Sequence, residues 1–318
     1  MGSVEHESGL PRSALVTGAG GFAGRHLVRH LLESTAWNVA GLSRSGMGGA
    51  ADARVLDLKG DITNPEDVAA ALEVSRPDYV FHLAARTPPA DDHDLIDTAV
   101  GGTTVLMEQV LAAVPDAAVL SAGSDAQYGP QEPGSLPTAE EAPMRPVHAY
   151  GRAKLRQEEV ALSYAAAGLR VVCVRAFNHI GPGQSDRFVI PSIASQIARA
   201  EAGGPPVVEV GSTEDRRDFT DVRDVVRAYL QALIMSPSGG IYNIGSGVNH
   251  SIGEAVAILA RMAMTKVEVR PVAGRVRRGE PSETCCDASR LRSLTGWAPA
   301  IDFETSLRDT LEHFRSVL

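Results

Sequence analysis

The sequence has little cysteine: Cys173, Cys285 and Cys286 are the only three in 318 residues. An odd number without framework spacing excludes a disulfide scaffold and leads us to expect reduced thiols in a cytoplasmic protein. Cys173 sits in the apolar run Val171-Val172-Cys173-Val174 and reads as core. The adjacent pair Cys285-Cys286 has no CxxC or HxxxH partner, so no metal site is expected. Long hydrophobic runs are missing too. None approaches the roughly 18 residues that a membrane span needs. The polar start, Met1 to Pro11, lacks an apolar signal core and reads as a disordered lead-in. Positive charge is scarce: 30 Lys and Arg stand against 39 Asp and Glu, a net charge of −9. A nucleic-acid binder usually carries a basic face, so this balance argues against one. An anionic substrate would need local arginines rather than a global field. No internal repeat or low-complexity tract is present.

What remains is the mix of an ordinary globular protein, 44% hydrophobic and 22% charged. Its first half alternates short β-branched runs with helical patterns. Strands are expected at Ala14–Thr17, Trp37–Ser43, Val55–Leu58, Asp78–Leu83, Ala118–Ser121 and Leu169–Arg175. Helices are expected at Gly24–Glu33, from Thr63-Asn64-Pro65-Glu66-Asp67 onward, at Ala99–Val114 and at Ala149–Ala167. Such alternation implies a doubly wound parallel α/β (Rossmann) sheet covered on both faces. After residue 176 the pattern loosens, with helices expected at Ile190–Ala202, Val222–Met235 and Glu304–Val317 and a strand at Gly240–Ile244. We expect a dinucleotide-binding domain of residues 10–176 plus 216–247. A smaller C-terminal α/β substrate domain would comprise 177–215 plus 248–318.

Gly18-Ala19-Gly20-Gly21-Phe22-Ala23-Gly24 lies between the first strand and the first helix. In a dinucleotide site the first glycine (Gly18) allows the tight turn, the second (Gly21) the approach of a pyrophosphate, and the third (Gly24) close helix packing. Phe22 opens the helix whose N–H groups would meet the phosphates. An NAD-binding chain usually has an acid after the second strand to bond the ribose 2′-hydroxyl. Here the stretch reads Leu42-Ser43-Arg44-Ser45, and a guanidinium pairs with a 2′-phosphate. NADP(H) is therefore favoured and NAD(H) remains possible; Arg44 also fits as an ordinary loop cation. Asp61-Ile62 after the third strand could bond the adenine edge, or be a simple turn acid. In His82-Leu83-Ala84-Ala85, the small residues after the fourth strand would let backbone lie against the cofactor.

Tyr150-Gly151-Arg152-Ala153-Lys154 places a phenol and an ammonium four residues apart on one helix face. The lysine is expected to lower the phenol's pKa and suit it to proton transfer. One strand upstream, Leu120-Ser121-Ala122-Gly123-Ser124 ends at the sheet's carboxyl edge, where ligands bind in this architecture. Ser124 could bond a substrate carbonyl while Tyr150 protonates it.

Together these features resemble the extended short-chain dehydrogenase/reductases of the nucleotide-sugar branch. The resemblance spans nearly the whole chain: Gly18-x-x-Gly21-x-x-Gly24, Asp61, His82-Leu83-Ala84-Ala85, Ser124 with Tyr128-Gly129, Tyr150-x-x-x-Lys154, Arg175-x-x-Asn178, Arg217-Asp218-Phe219 and Gly296-Trp297-x-Pro299. Asn178-His179-Ile180-Gly181-Pro182-Gly183-Gln184 is similar to the GDP-4-keto-6-deoxy-D-mannose reductase subgroup. The resemblance implies Tyr150 as general acid and Lys154 on the nicotinamide ribose. It implies Ser124 on the carbonyl, with Asp125 beside it as a substrate contact. Asn178, Arg217 and Arg278 would lie near the sugar or diphosphate, Arg278 within a basic cluster with Arg275 and Arg277. Arg217 could instead pair with Asp215 or Asp218.

The implied reaction is NADPH-dependent reduction of the 4-keto group of an NDP-4-keto-6-deoxyhexose. The alternatives are an NDP-sugar 4-epimerase with tightly bound NAD, a 4,6-dehydratase, and a non-catalytic NADP(H)-binding protein. Two departures bear on this. Ala99 stands where sugar-nucleotide members often have asparagine. Ala126 stands where dehydratases place a carboxylate, which lowers the dehydratase reading. The resemblance also implies a homodimer, formed through Ala99–Val114 and Ala149–Ala167.

Overall fold

The computed structural model describes residues 11–48, 52–88, 90–132, 134–272 and 281–318. Met1 to Leu10 of the expected lead-in, and Arg275, Arg277 and Arg278, lie outside the described residues.

The strand β1 (Ser13–Thr17) is apolar through its middle, where Ala14, Leu15 and Val16 are fully buried. Such a run belongs in the middle of a parallel sheet, covered on both faces. The helix α1 (Phe22–Ser34) buries Leu27, Val28 and Leu31 at helical spacing. Next come β2 (Asn38–Ser43) and β3 (Val55–Lys59). The helix α2 (Pro65–Ser75) starts as its sequence dictates: Asn64 caps Glu66 N, Pro65 opens the first turn, and Glu66 and Asp67 face the positive helix end. Then follow β4 (Tyr79–His82), α3 (Asp92–Ile96), α4 (Gly102–Ala113), β5 (Ala118–Ser124), α5 (Ala149–Ala166) and β6 (Arg170–Ala176).

A single α-helix over Ala99–Val114 does not form. Asp97–Gly101 is a wider π-helical turn between α3 and α4. Adjacent glycines make room for it: a Cβ on Gly102 would lie 2.8 Å from Ile62. The hydroxyls of Thr103 and Thr104 donate back to Ala99 O and Val100 O across the widened turn.

The later elements are β7 (His179–Ile180), α6 (Val189–Glu201), β8 (Val207–Val210), β9 (Arg216–Asp218), β10 (Thr220–Asp221), α7 (Val222–Met235), β11 (Ile241–Ile244), β12 (Asn249–Ser251), α8 (Ile252–Met262), β13 (Glu268–Pro271), α9 (Ser289–Thr295) and α10 (Phe303–Val317). A seven-stranded sheet has the order β11-β6-β5-β4-β1-β2-β3. The doubly wound parallel sheet read from the sequence is therefore present. β1 pairs in parallel with β2 on one side and β4 on the other. The chain winds outward from β1 through β2 to β3, then returns to β4. The resulting switch point between β1 and β4 is where open α/β sheets bind ligands, outside the carboxyl ends of the strands.

The chain divides into two compact units. The first runs up to Gln127 and includes His148–Arg175 and Val226–Tyr242. The second comprises Tyr128–Val147, Ala176–Val225 and Asn243–Leu318. The second unit's core is built on α6, α8 and α10, with Ile193, Ile197, Leu259, Leu307 and Leu311 fully or almost fully buried. Around it stand two-stranded pairs: β10 with β7, β12 with β9, and β13 with β8.

Two of the motif acids brace this unit. Asp218, fully buried, accepts from Ser246 N, Ser246 Oγ, Gly247 N and Cys286 N. Asp224 accepts from Ala300 N and Ile301 N, while the fully buried Trp297 donates its indole N–H to Asp224 O. Cys173 is core, as read from its sequence. Among the described residues no helix is long and apolar enough to cross a membrane.

Candidate active site

The glycine turn is shaped by backbone contacts that side chains would block. Gly18 N donates to Leu42 O at 2.8 Å, and Gly21 N to Gly18 O at 2.9 Å. Gly18 has a φ of +73°, and a Cβ there would lie 2.8 Å from Ala84 N. A Cβ on Gly24 would come within 2.2 Å of Gly18 O, so only glycine lets α1 pack this closely on the turn. No side chain caps the N-terminus of α1, and no acid sits in its first turn. The N–H groups of its first turn and its positive dipole end suit an anion.

Ser43, at the end of β2, has a buried hydroxyl with no partner among the described residues, and a Cβ on Gly20 would lie 2.9 Å from it. An orphaned hydroxyl beside a glycine with no room for a side chain fits a ligand rich in oxygen, as a dinucleotide is. Arg44 follows, exposed to solvent, and its charge reaches Asp61. Asp61 is held as a turn acid: its Oδ1 accepts from Thr63 N and Thr63 Oγ1, and the bond from Thr63 N leads in keeping its carboxyl below the usual range. Ile62 is buried, packed at Gly102, and Phe22 meets His26 edge-on at 5.4 Å.

Between β1 and β4 lies a polar chain that the motif alone does not reveal. His82, fully buried, bonds Thr17 Oγ1 through Nδ1 at 2.8 Å and Thr103 Oγ1 through Nε2 at 2.9 Å. Thr17 Oγ1 also accepts from Ala84 N at 3.3 Å. Burial pushes the His82 pKa down to about 3, with the Lys154 charge adding to the effect, so the imidazole is neutral. The chain pins the Leu83-Ala84-Ala85 backbone against the glycine turn; Ala85 is exposed, Leu83 and Ala84 half-buried.

Ser124, Tyr150 and Lys154 meet in the first unit. The Ser124 side chain lies near enough to the Tyr150 phenol to temper its pKa. Ser124 Oγ also donates to Asp125 Oδ1 at 3.1 Å and accepts from Ala126 N at 3.2 Å. Lys154 Nζ donates to Ala122 O and to Gln157 Oε1, both at 2.8 Å. Those bonds use two of its three donors. Gln157 in turn donates to Ser121 Oγ at 3.0 Å, which the sequence did not signal beyond its place three residues after Lys154.

The expected lowering of the phenol's pKa is not what this arrangement produces. Burial of the hydroxyl raises Tyr150 to about 12. The Ser124 side chain opposes that rise and the nearby Asp125 carboxylate adds to it. Lys154 directs its ammonium at Ala122 O and Gln157 instead, and its own pKa falls to about 8 through burial. A phenol that holds its proton at neutral pH is a donor rather than a base.

Asn178 and Arg217 belong to the second unit, where both line a cavity of about 620 Å³. Arg217 stands 3.8 Å from Asp215 and donates to Arg216 O and Ser282 O, so its pairing with Asp215 does form. Gln184 and Ser195 also line this cavity, and each has a buried side-chain oxygen without a partner. Arg278 lies outside the described residues.

A doubly wound sheet with a glycine turn at its switch point, and a serine, tyrosine and lysine at the neighbouring strand end, defines an NAD(P)-dependent oxidoreductase of the extended short-chain type. The sequence profile of the NAD dependent epimerase/dehydratase family matches residues 14–245. The chain belongs to that family. It is 34% identical over 314 residues to a GDP-6-deoxy-D-mannose reductase of Pseudomonas aeruginosa, covering 96% of this chain and 98% of that protein. Among solved structures, RMD from Pseudomonas aeruginosa complexed with NADPH superposes with a TM-score of 0.85 at 33% identity, over 96% of this chain and 100% of that one. UDP-glucose 4-epimerase of Thermus thermophilus, in complex with NAD, gives a TM-score of 0.84 at 28% identity, over 96% and 99%.

Proposed function

We propose that this protein uses NADPH to reduce the 4-keto group of an NDP-4-keto-6-deoxyhexose. The meeting of Ser124 at the end of β5 with Tyr150 and Lys154 of α5 carries the reading, because it sets a carbonyl-orienting hydroxyl beside a protonated phenol. Ser124 holds the substrate carbonyl. Tyr150 gives its proton to the carbonyl oxygen as the C4 carbon becomes an alcohol carbon. NADPH, when bound, supplies the hydride for this two-electron reduction. Gly18, Gly21, Phe22 and Gly24 cradle its pyrophosphate, and Leu83, Ala84 and Ala85 form the wall opposite. Arg44 takes the 2′-phosphate, while Asp61 and Ile62 lie by the adenine. Lys154 turns its third donor to the nicotinamide ribose.

The first unit is the cofactor domain in this reading, and the second receives the nucleotide sugar. Asn178, Arg217, Arg278 and Asp125 are its contacts to the sugar or diphosphate. Arginine suits a diphosphate because its planar fork bonds two oxygens. The similarity to a GDP-6-deoxy-D-mannose reductase supports a 6-deoxyhexose nucleotide.

A panel of NDP-4-ketosugars with NADPH and NADH tests the reading, with cofactor oxidation followed by absorbance and product configuration by NMR. Turnover of at least one, faster with NADPH, is expected; no turnover of any would sink it. A 4-epimerase is the second reading, supported by the likeness to UDP-glucose 4-epimerase. Purified protein that retains NAD and converts sugar without net redox change would favour it. We also propose a cytoplasmic homodimer, which light scattering and cell fractionation would check.

A further inference from the structure

Three buried polar side chains of the first unit have no part in the chemistry above. Gln127 is fully buried, and Arg175 and Glu158 are 3% and 5% exposed. Arg175, near the end of β6, grips the Glu158 carboxylate with two bonds: Nε to Oε2 at 2.8 Å and Nη2 to Oε1 at 2.7 Å. Oε2 also accepts from Gln127 Nε2 at 3.0 Å. A carboxylate can only accept, so the Gln127 amide must present its N–H to Glu158 and its carbonyl to the far side. There, Gln127 Oε1 accepts from Ser124 N at 2.8 Å. Gly123 makes way for that carbonyl, since a Cβ at this position would lie 2.3 Å from Gln127 Oε1.

Stability alone is a poor reason for such a chain. Apolar residues of similar volume often stabilise a fold as well as a buried ion pair does, or better. What apolar residues cannot do is set the direction of an amide. Tyr150, Lys154 and Glu158 follow one another at four-residue steps on α5 and so share one face. The chain from Arg175 to Ser124 N therefore ties the reactive serine on β5 to the helix that carries the reactive tyrosine.

We infer that Gln127, Glu158 and Arg175 form a positioning relay that fixes the Ser124 backbone, and through it the placing of Ser124 against Tyr150. These are positioning residues and touch neither substrate nor cofactor. The inference rests on the reductase reading for its catalytic consequence.

The test compares the wild type with three variants. Gln127→Met removes the acceptor for Ser124 N. Glu158→Leu with Arg175→Met replaces the ion pair by apolar bulk and guards against simple unfolding. Gln127→Glu with Glu158→Gln reverses the polarity of the link while keeping an acceptor for Ser124 N. Readouts are kcat and KM for the ketosugar, NADPH affinity, Tm, and exchange of the Ser124 amide proton.

Gln127→Met is expected to lose between about tenfold and a hundredfold in kcat, the scale of a reacting group misplaced by an ångström, with KM for the ketosugar and NADPH affinity within about twofold. Its Ser124 amide should exchange faster while those of Leu120 and Ala122 hold. The apolar pair should keep its Tm and still lose kcat, and the reversed pair should recover most of it. Wild-type kcat in Gln127→Met or in the apolar pair overturns the relay. Unchanged exchange at Ser124 in Gln127→Met overturns it as well, even if no ketosugar is turned over. That last result, in the wild type, would defeat the reductase reading separately.

Discussion

The polar groups around the reactive cluster of the first unit and those in the cavity wall of the second are organised differently. In the first, the reactive side chains are already wired: Lys154 has Ala122 O and Gln157, His82 has both threonines, and Ser124 has Asp125 and Ala126 N. In the second, the cavity wall keeps two buried oxygens without partners, on Gln184 and Ser195, beside an arginine already shared with Asp215. The contrast separates two tasks. Chemistry gains from groups fixed before the substrate arrives, because nothing then has to reorganise during the reaction. Recognition can leave bonds to be completed by the ligand.

The strongest break of this comparison is Tyr150→Phe. Positioned acid catalysis contributes between about a hundredfold and ten thousandfold, so kcat should fall by that range. NADPH affinity, measured by fluorescence titration, should be unchanged, because the glycine turn and α1 are untouched. A variant that kept wild-type kcat would remove Tyr150 from the reaction.

Lys154→Met sharpens the view of the first unit as wired at a cost. Burial lowers the folded pKa of Lys154 from 10.5 to about 8. The unfolded chain therefore holds more protons between those values, and stability rises with pH across that window. Below pH 8 both states carry the charge, and the penalty is present in full. At about 1.4 kcal/mol per pKa unit, the wild type should gain about 3 kcal/mol relative to Lys154→Met between pH 8 and pH 10.5. Denaturant melts of both proteins across that range give the difference directly; parallel curves would refute it.

In the second unit, Arg217→Met should act on binding instead. A hydrogen bond to a charged group is worth roughly 1.5–3 kcal/mol, so KM for the nucleotide sugar should rise between about tenfold and a hundredfold with kcat little changed. A fall in kcat at constant KM would instead place Arg217 in the transition state.

The same contrast governs how much could be read from the sequence. The first unit has strands of four to seven residues joined by long periodic helices, and its sheet, glycine turn and Ser–Tyr–Lys cluster all follow from pattern and spacing. The second unit's strands run from two to four residues, too short to show an alternation, and the sequence signals none of β7, β8, β9, β10, β12 or β13. Its helices α6 and α10 are legible from their apolar faces. The π turn before α4 escapes because Ala99–Val114 keeps a helical period while Gly101-Gly102 lets the backbone widen. Long-range polar links escape for another reason. Gln127 and Glu158 are 31 residues apart, and nothing local reports that they meet. The direction of the Tyr150 pKa shift fails similarly, since spacing shows that Lys154 shares its face but not that Ala122 O and Gln157 hold the ammonium.

The smallest effect concerns a cation with little burial. Arg44 is exposed, and a solvated ion pair contributes less than a buried one. Its partner here would be a 2′-phosphate, which can accept two parallel bonds from one guanidinium. Replacing the arginine by a carboxylate should act twice, removing the attraction and adding repulsion toward the phosphate while offering an acceptor to a 2′-hydroxyl. Arg44→Asp should therefore shift the NADPH-to-NADH preference by about tenfold, equivalent to about 1.4 kcal/mol. The shift should weaken as salt is added, because an exposed pair is screened within about a Debye length. Measured kcat/KM for the two cofactors at low and high ionic strength separates the outcomes. A preference that moves and is salt-dependent puts Arg44 on the phosphate. A preference that stays put makes Arg44 a loop cation and leaves cofactor choice to the orphaned hydroxyl of Ser43, which can bond either form of the ribose.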